Sequence, residues 1–176
     1  MHLNLSPSQM LDIWRLHTGY KPSLAESVFL RNDAIDTTAI HRSEMHRWYR
    51  RLLMEAPAEQ LVAEDLSGIA TLSADPDGHT LVGLPPEVVR ILKVRLASWR
   101  RHARIVTSPT HILALRQNHP YTRATTSHPV AVFHDGELRL YPAATPDDTL
   151  LSLCGVSYSE DEYRFDDSAL ASIHPV

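Results

Sequence analysis

The chain has 176 residues, 43% hydrophobic and 22% charged, with a net charge of −4 at pH 7. That is ordinary for a soluble globular protein and allows one domain with a real core, or a helical part joined to a β part. No apolar run approaches the roughly 20 residues that cross a bilayer, the first five residues lack the pattern of a signal peptide, and a single cysteine, Cys154, excludes an intrachain disulfide.

The charge is uneven. From Asp135 onward nine acids face only Arg139 and Arg164, giving −7, whereas residues 1–134 carry +3. Such a split fits solvated faces, and equally fits subunits that associate through complementary patches.

In chain order, Ser6-Pro7 predicts a helix start, with a capping hydroxyl and a proline where no N–H is needed. Met10, Leu11 and Trp14 lie on one face, and Gly19 ends the segment. Ser23 with Glu26 three residues on has the spacing of a capping box. Residues 36–56 carry an apolar stripe of Met45, Trp48, Tyr49, Leu52, Leu53 and Ala56 at spacings of three and four. Arg42, Arg47, Arg50 and Arg51 mostly fall beside or opposite that stripe, and Pro57 ends it or begins a short further helix through Leu61 and Val62. The period changes after Gly68. Residues 69–73 read as a strand, 75–78 as a tight turn, and 80–82 as the return. In 88–96, Leu92, Val94 and Leu96 alternate with Lys93 and Arg95, predicting an apolar and a basic sheet face. Residues 103–106 can return as a strand after Trp99. Ser108-Pro109 predicts the cap of a short helix carrying Ile112, Leu113 and Leu115, and 118–129 is a polar loop suited to exposed contacts. Asp135-Gly136, between 130–133 and 138–141, is the clearest hairpin signal, and 149–156 is a further strand. Helices followed by mainly antiparallel strands predict an α+β fold: a helical part at 1–68 and a β-rich part at 69–176, or one shared core.

Chemistry-bearing patterns are sparse. His41 and His46 are five residues apart on a helix and diverge, so they do not make a zinc pair. His102, His111, His119, His128 and His134 are dispersed, and their spacing predicts no ligand set. Cys154 reads as a buried thiol. Six glycines spread along the chain form no phosphate-cradling loop. We therefore expect no catalytic, cofactor or metal residues. The cluster Arg90, Lys93, Arg95, Arg100, Arg101 and Arg104, with Trp99 among it, fits a solvated face, a protein interface, or phosphate binding with stacking. The last would make this a nucleic-acid-binding or regulatory module.

The succession Leu84-Pro85, Val89-Arg90-Ile91-Leu92, Trp99-Arg100-Arg101, Ser108-Pro109, Pro129-Val130-Ala131-Val132 and Gly136-Glu137-Leu138-Arg139-Leu140-Tyr141 resembles a known pattern. It is similar to the head-to-tail connector, or tail-tubular ring, proteins of short-tailed phages, including the crAss-like phages of Bacteroidales. Those proteins usually continue into a long terminal helix, whereas here 165–170 is followed only by residues to Val176. The resemblance implies a non-enzymatic structural protein of a phage or prophage virion, assembled in the bacterial host cytoplasm. It implies a ring, commonly dodecameric, that contacts the portal protein and neighbouring tail rings, with DNA passing only non-specifically and no membrane. The candidate interface is Trp48, Arg50, Arg51, Trp99, Arg100, Arg101, Arg104, Tyr121 and Arg123, with Trp48 or Trp99 as buried anchors. Arg100, Arg101 and Arg104 would face acids such as Asp161, Glu162 or Asp166 of an adjacent copy or partner.

Overall fold

A computed structural model describes residues 1–19, 36–75 and 77–173. The fold is α+β, and its contacts divide it into two units: Met1–Val62 with Tyr158–Val176, and Ala63–Ser157. The segment beginning at Ser23 lies outside the described residues.

In the first unit, strand β1 (His2–Leu5) pairs antiparallel with β10 (Tyr163–Asp166), placing Leu3 opposite Phe165 and Leu5 opposite Tyr163. This long-range pairing places the C-terminal residues in the first unit, so the division differs from a single break after Gly68. Helix α1 (Pro7–His17) starts in a reciprocal capping box. Gln9 N–H donates to Ser6 Oγ, and Ser6 N–H donates to Gln9 Oε1 at 2.9 Å. Gly19, at φ 71°, follows the last turn. Helix α2 (Thr37–Glu55) is capped by Asp36, whose carboxylate accepts from Thr38 and Ala39 N–H. It stops before Pro57, which disfavours helical backbone at Ala56.

The apolar stripes of α1 and α2 behave as their spacing predicts: Met10, Leu11, Trp14, Met45, Tyr49, Leu52 and Leu53 are all buried. They share the unit's interior with Tyr163 and Phe165. The Tyr49 and Tyr163 rings are 4.8 Å apart, and Tyr49 Oη accepts the Arg164 N–H at 3.1 Å. His46 Nδ1 meets the Tyr163 hydroxyl at 2.9 Å.

The second unit holds two sheets. The smaller has strands β2 (Glu64–Asp65), β9 (Leu150–Ser157) and β5 (Val88–Leu96), in that order. The larger runs β3 (Thr71–Ala74), β4 (Thr80–Gly83), β8 (Glu137–Tyr141), β7 (Val130–His134) and β6 (Arg104–Val106). Both contribute to one core, which includes Ile91, Val94, Leu96 and Leu153 from the first sheet and Val82, Phe133, Leu138 and Leu140 from the second. The β7–β8 hairpin turns at Asp135 (φ 50°) and Gly136 (φ 79°), the positive pair that a two-residue hairpin loop requires.

Three expectations are corrected. Strand β5 does not alternate strictly: Ile91 is buried and Leu92 only partly, because register shifts against β9 reset the phase before Val94 and Leu96. Strand β6 does not return along β5 but pairs parallel with β7 at the edge of the larger sheet, so the residues between β6 and β7 form a crossover. The short helix α3 is only Ile112–Leu115, and its cap is His111, whose Nδ1 accepts from Leu113 N–H at 3.1 Å. Ser108 instead turns the chain one step earlier, taking the Thr110 N–H.

Candidate functional site

The crossover from β6 to β7 is folded by its own hydrogen bonds. Gln117 is 5% exposed. Its amide nitrogen donates to Leu113 O at 2.7 Å, and its amide oxygen accepts from Ala124 N–H at 2.8 Å. A buried amide satisfied at both ends pins the two limbs of the excursion to each other. Arg123 Nε donates to Gln117 O at 3.0 Å, and the Thr122 hydroxyl donates to Arg116 O at 2.9 Å. Arg100 N–H donates to Thr126 O, and Arg104 N–H to Pro129 O, tying the excursion to the chain around β6. Beneath it, Val106, Val130 and Val132 pack with Leu113, Ala114 and Ala124.

This scaffold frames a concavity of about 470 Å³, lined by Arg101, Arg104, Arg116 and Arg123 together with His102 and His128, and by no Asp or Glu among the described residues. His102 is held below the ordinary histidine value by desolvation first, then by Lys93 and Arg95. Guanidinium groups present paired N–H donors that suit a carboxylate or a phosphate. On the same excursion Ile112, Leu115 and Tyr121 are exposed, at 58%, 50% and 94%.

The expected interface residues divide sharply. Arg101, Arg104 and Arg123 come together in the concavity, Arg100 is exposed next to them, and Tyr121 stands on the same excursion. Trp99 does not serve as a surface anchor: at 1% exposure it belongs to the core of the second unit, because the β5–β6 corner turns its ring inward. Trp48, in the first unit, is half-buried. Its ring lies tilted, 5.9 Å from that of Trp14, meets Phe165 edge-on at 5.4 Å, and donates its indole N–H to Ser172 Oγ at 3.0 Å. Its outer edge lines a groove of about 310 Å³ with Arg51 and Glu55. Arg50 lies over the Tyr158 ring at 4.7 Å and reaches Glu160 at 3.5 Å.

The acids expected to meet the arginines also have different standings. Asp166 and Asp167 are occupied within the chain, by the Met1 ammonium at 2.8 and 2.7 Å. Glu162 bridges Arg164 at 3.1 Å and Asn4 at 2.7 Å. Asp161 is exposed, with only its backbone N–H engaged, by Ser159 Oγ.

His102, Arg116 and His128, all in the lining, were not among the expected interface residues. One signal could have found them: residues 88–134 contain no acid, yet hold eight Arg or Lys residues and five His. Among the described residues, no group of three or more His, Cys, Asp or Glu is placed to hold a metal. Neither a protein-family model nor a curated protein matches the chain.

Proposed function

We propose that this chain is a ring-forming connector subunit of a short-tailed phage or prophage, docking between the portal and the tail. The observation that carries this reading is the excursion between β6 and β7. It is internally pinned and exposes Ile112, Leu115 and Tyr121 beside an arginine-lined concavity. Exposed aliphatic and tyrosine side chains next to arginines have the composition of a protein-binding surface. A loop already held by Gln117 also loses little freedom when it binds.

The sequence succession that resembles the phage family supports the same reading. Its segments fall on consecutive elements of one unit: β5, the Trp99 corner, β6, the excursion, β7 and β8. The mechanism is geometric. A sheet framework with a shared core fixes the base of the excursion, and the excursion presents the contact residues.

The test uses the full chain and the portal protein of the same phage or prophage, mixed at micromolar concentration. Sedimentation velocity should show the chain moving with the portal in a complex of fixed stoichiometry. A chain that stays monomeric at every concentration and never sediments with the portal overturns the proposal.

A further inference from the structure

We propose that the arginine-lined concavity of the second unit receives the acidic segment Glu160-Asp161-Glu162 of a second copy, forming a head-to-tail contact. The inference rests on the ring reading and names the two surfaces that would meet. Its first support is charge complementarity. The concavity gathers Arg101, Arg104, Arg116 and Arg123, and among the described residues no carboxylate lines it. Residues 160–162 are the longest unbroken acidic run in the chain.

The second support is availability. Asp166 and Asp167 already hold the Met1 ammonium, and Glu162 holds Arg164 and Asn4, so the exchange falls to Glu160 and Asp161. Glu160 is 68% exposed, and its contact with Arg50 is an exposed pair at 3.5 Å. Such pairs are weak and salt-screened, so exchanging Arg50 for a set of guanidinium groups costs little. Asp161 is exposed, and its carboxylate points to no partner among the described residues.

A nucleic-acid backbone is the competing occupant, and two observations weigh against it. The second unit carries nine acids and nine basic residues, and the chain is net −4, so no long-range field gathers a polyanion. Ile112 and Leu115, exposed on the same excursion, match a protein surface rather than phosphates. A contact between two different patches of identical chains is heterologous. It closes into a ring when the rotation allows, and otherwise extends as a filament.

The experiment is a charge swap in the full chain. One variant carries Arg101→Glu and Arg104→Glu, a second carries Glu160→Arg and Asp161→Arg, and a third carries all four changes. All the changed residues are exposed, and circular dichroism checks that each variant is folded. Self-association is measured by sedimentation velocity at low salt, alone and with the portal protein. Each double variant should associate at least ~10-fold more weakly than wild type, because like charges then meet. The quadruple variant, and an equimolar mixture of the two double variants, should recover association. If wild type assembles and both double variants assemble equally well, this contact is wrong while the ring reading stands. If wild type never associates, with or without portal, both fail together. If assembly is intact in the Arg101→Glu, Arg104→Glu variant but salt-sensitive binding of a 20-nucleotide DNA strand is lost, the concavity is a nucleic-acid site and the proposal is overturned.

Discussion

Replacing Trp99 separates a core role from an interface role. The side chain is 1% exposed within the cluster shared by both sheets of the second unit. Truncating a buried Trp to Ala costs about 3–5 kcal/mol, from lost transfer energy plus the cavity left behind. The unit spans Ala63–Ser157, and at about 0.05–0.15 kcal/mol per residue its total stability is of order 5–14 kcal/mol. Trp99→Ala therefore removes from about a fifth of that stability to all of it. Trp99→Phe is different. The ring loses roughly 1 kcal/mol of apolar burial. In exchange it removes an indole N–H that has no partner among the described residues, a group whose burial costs about 1–3 kcal/mol. The Phe variant should stay within about 1 kcal/mol of wild type. The assay is urea unfolding followed by far-UV circular dichroism, with hydrogen exchange on the β5 and β9 amides to assign the loss to the second unit. A Trp99→Ala chain that loses less than about 1 kcal/mol would refute the core assignment and return Trp99 to the surface.

Three further outcomes follow from the same packing. The Met1 ammonium, and after it Ser168, hold the Asp166 carboxyl well below the ordinary carboxylate value of 3.8. A depressed folded pKa gives stability that is complete above 3.8 and lost as the pH falls below it, so Asp166→Asn should flatten the acid limb of a stability–pH curve below about pH 4. Burial pushes the Tyr163 phenol from 10 up to about 12; this contribution is complete below pH 10 and lost as pH rises towards 12, and a Tyr163→Phe chain, followed by alkaline unfolding, should lack that loss. At Gly155 an added Cβ would lie 2.7 Å from Leu66 Cδ1 and 3.1 Å from the Arg90 carbonyl oxygen; Gly155→Ala should therefore cost about 1–3 kcal/mol in thermal or urea unfolding, and no loss would mean that β5 and β9 separate easily there.

What the sequence disclosed follows from how local each signal is. The Ser6-Pro7 start, the stripe from Met45 to Leu53 and the Asp135-Gly136 turn each depend on neighbours within a few residues, and all three appear in the structure as their chemistry predicts. The pairing of β1 with β10 joins residues at opposite ends of the chain, and no local pattern carries such information. The alternation across 88–96 misled because bulges change which residues face inward without changing the composition. Trp99, followed by Arg100 and Arg101, reads as an interface anchor until the corner geometry places it in the core. For the candidate site, the arginines at 101, 104 and 123 and the exposed Tyr121 were visible as polar and basic residues. Arg116 was missed because its approach depends on Gln117, whose role as a two-ended clamp is a tertiary fact. Likewise, Asp166 looked available for a partner, and only the fold brings the Met1 ammonium to it.

The most direct measurement of the central claim is native mass spectrometry of the chain bound to the portal protein of the same phage or prophage. The connector account predicts one dominant species with a fixed, ring-compatible number of copies per portal, reduced by charge reversal at Arg101 and Arg104. Portal that retains only its own mass, with this chain recovered as monomer, would contradict it.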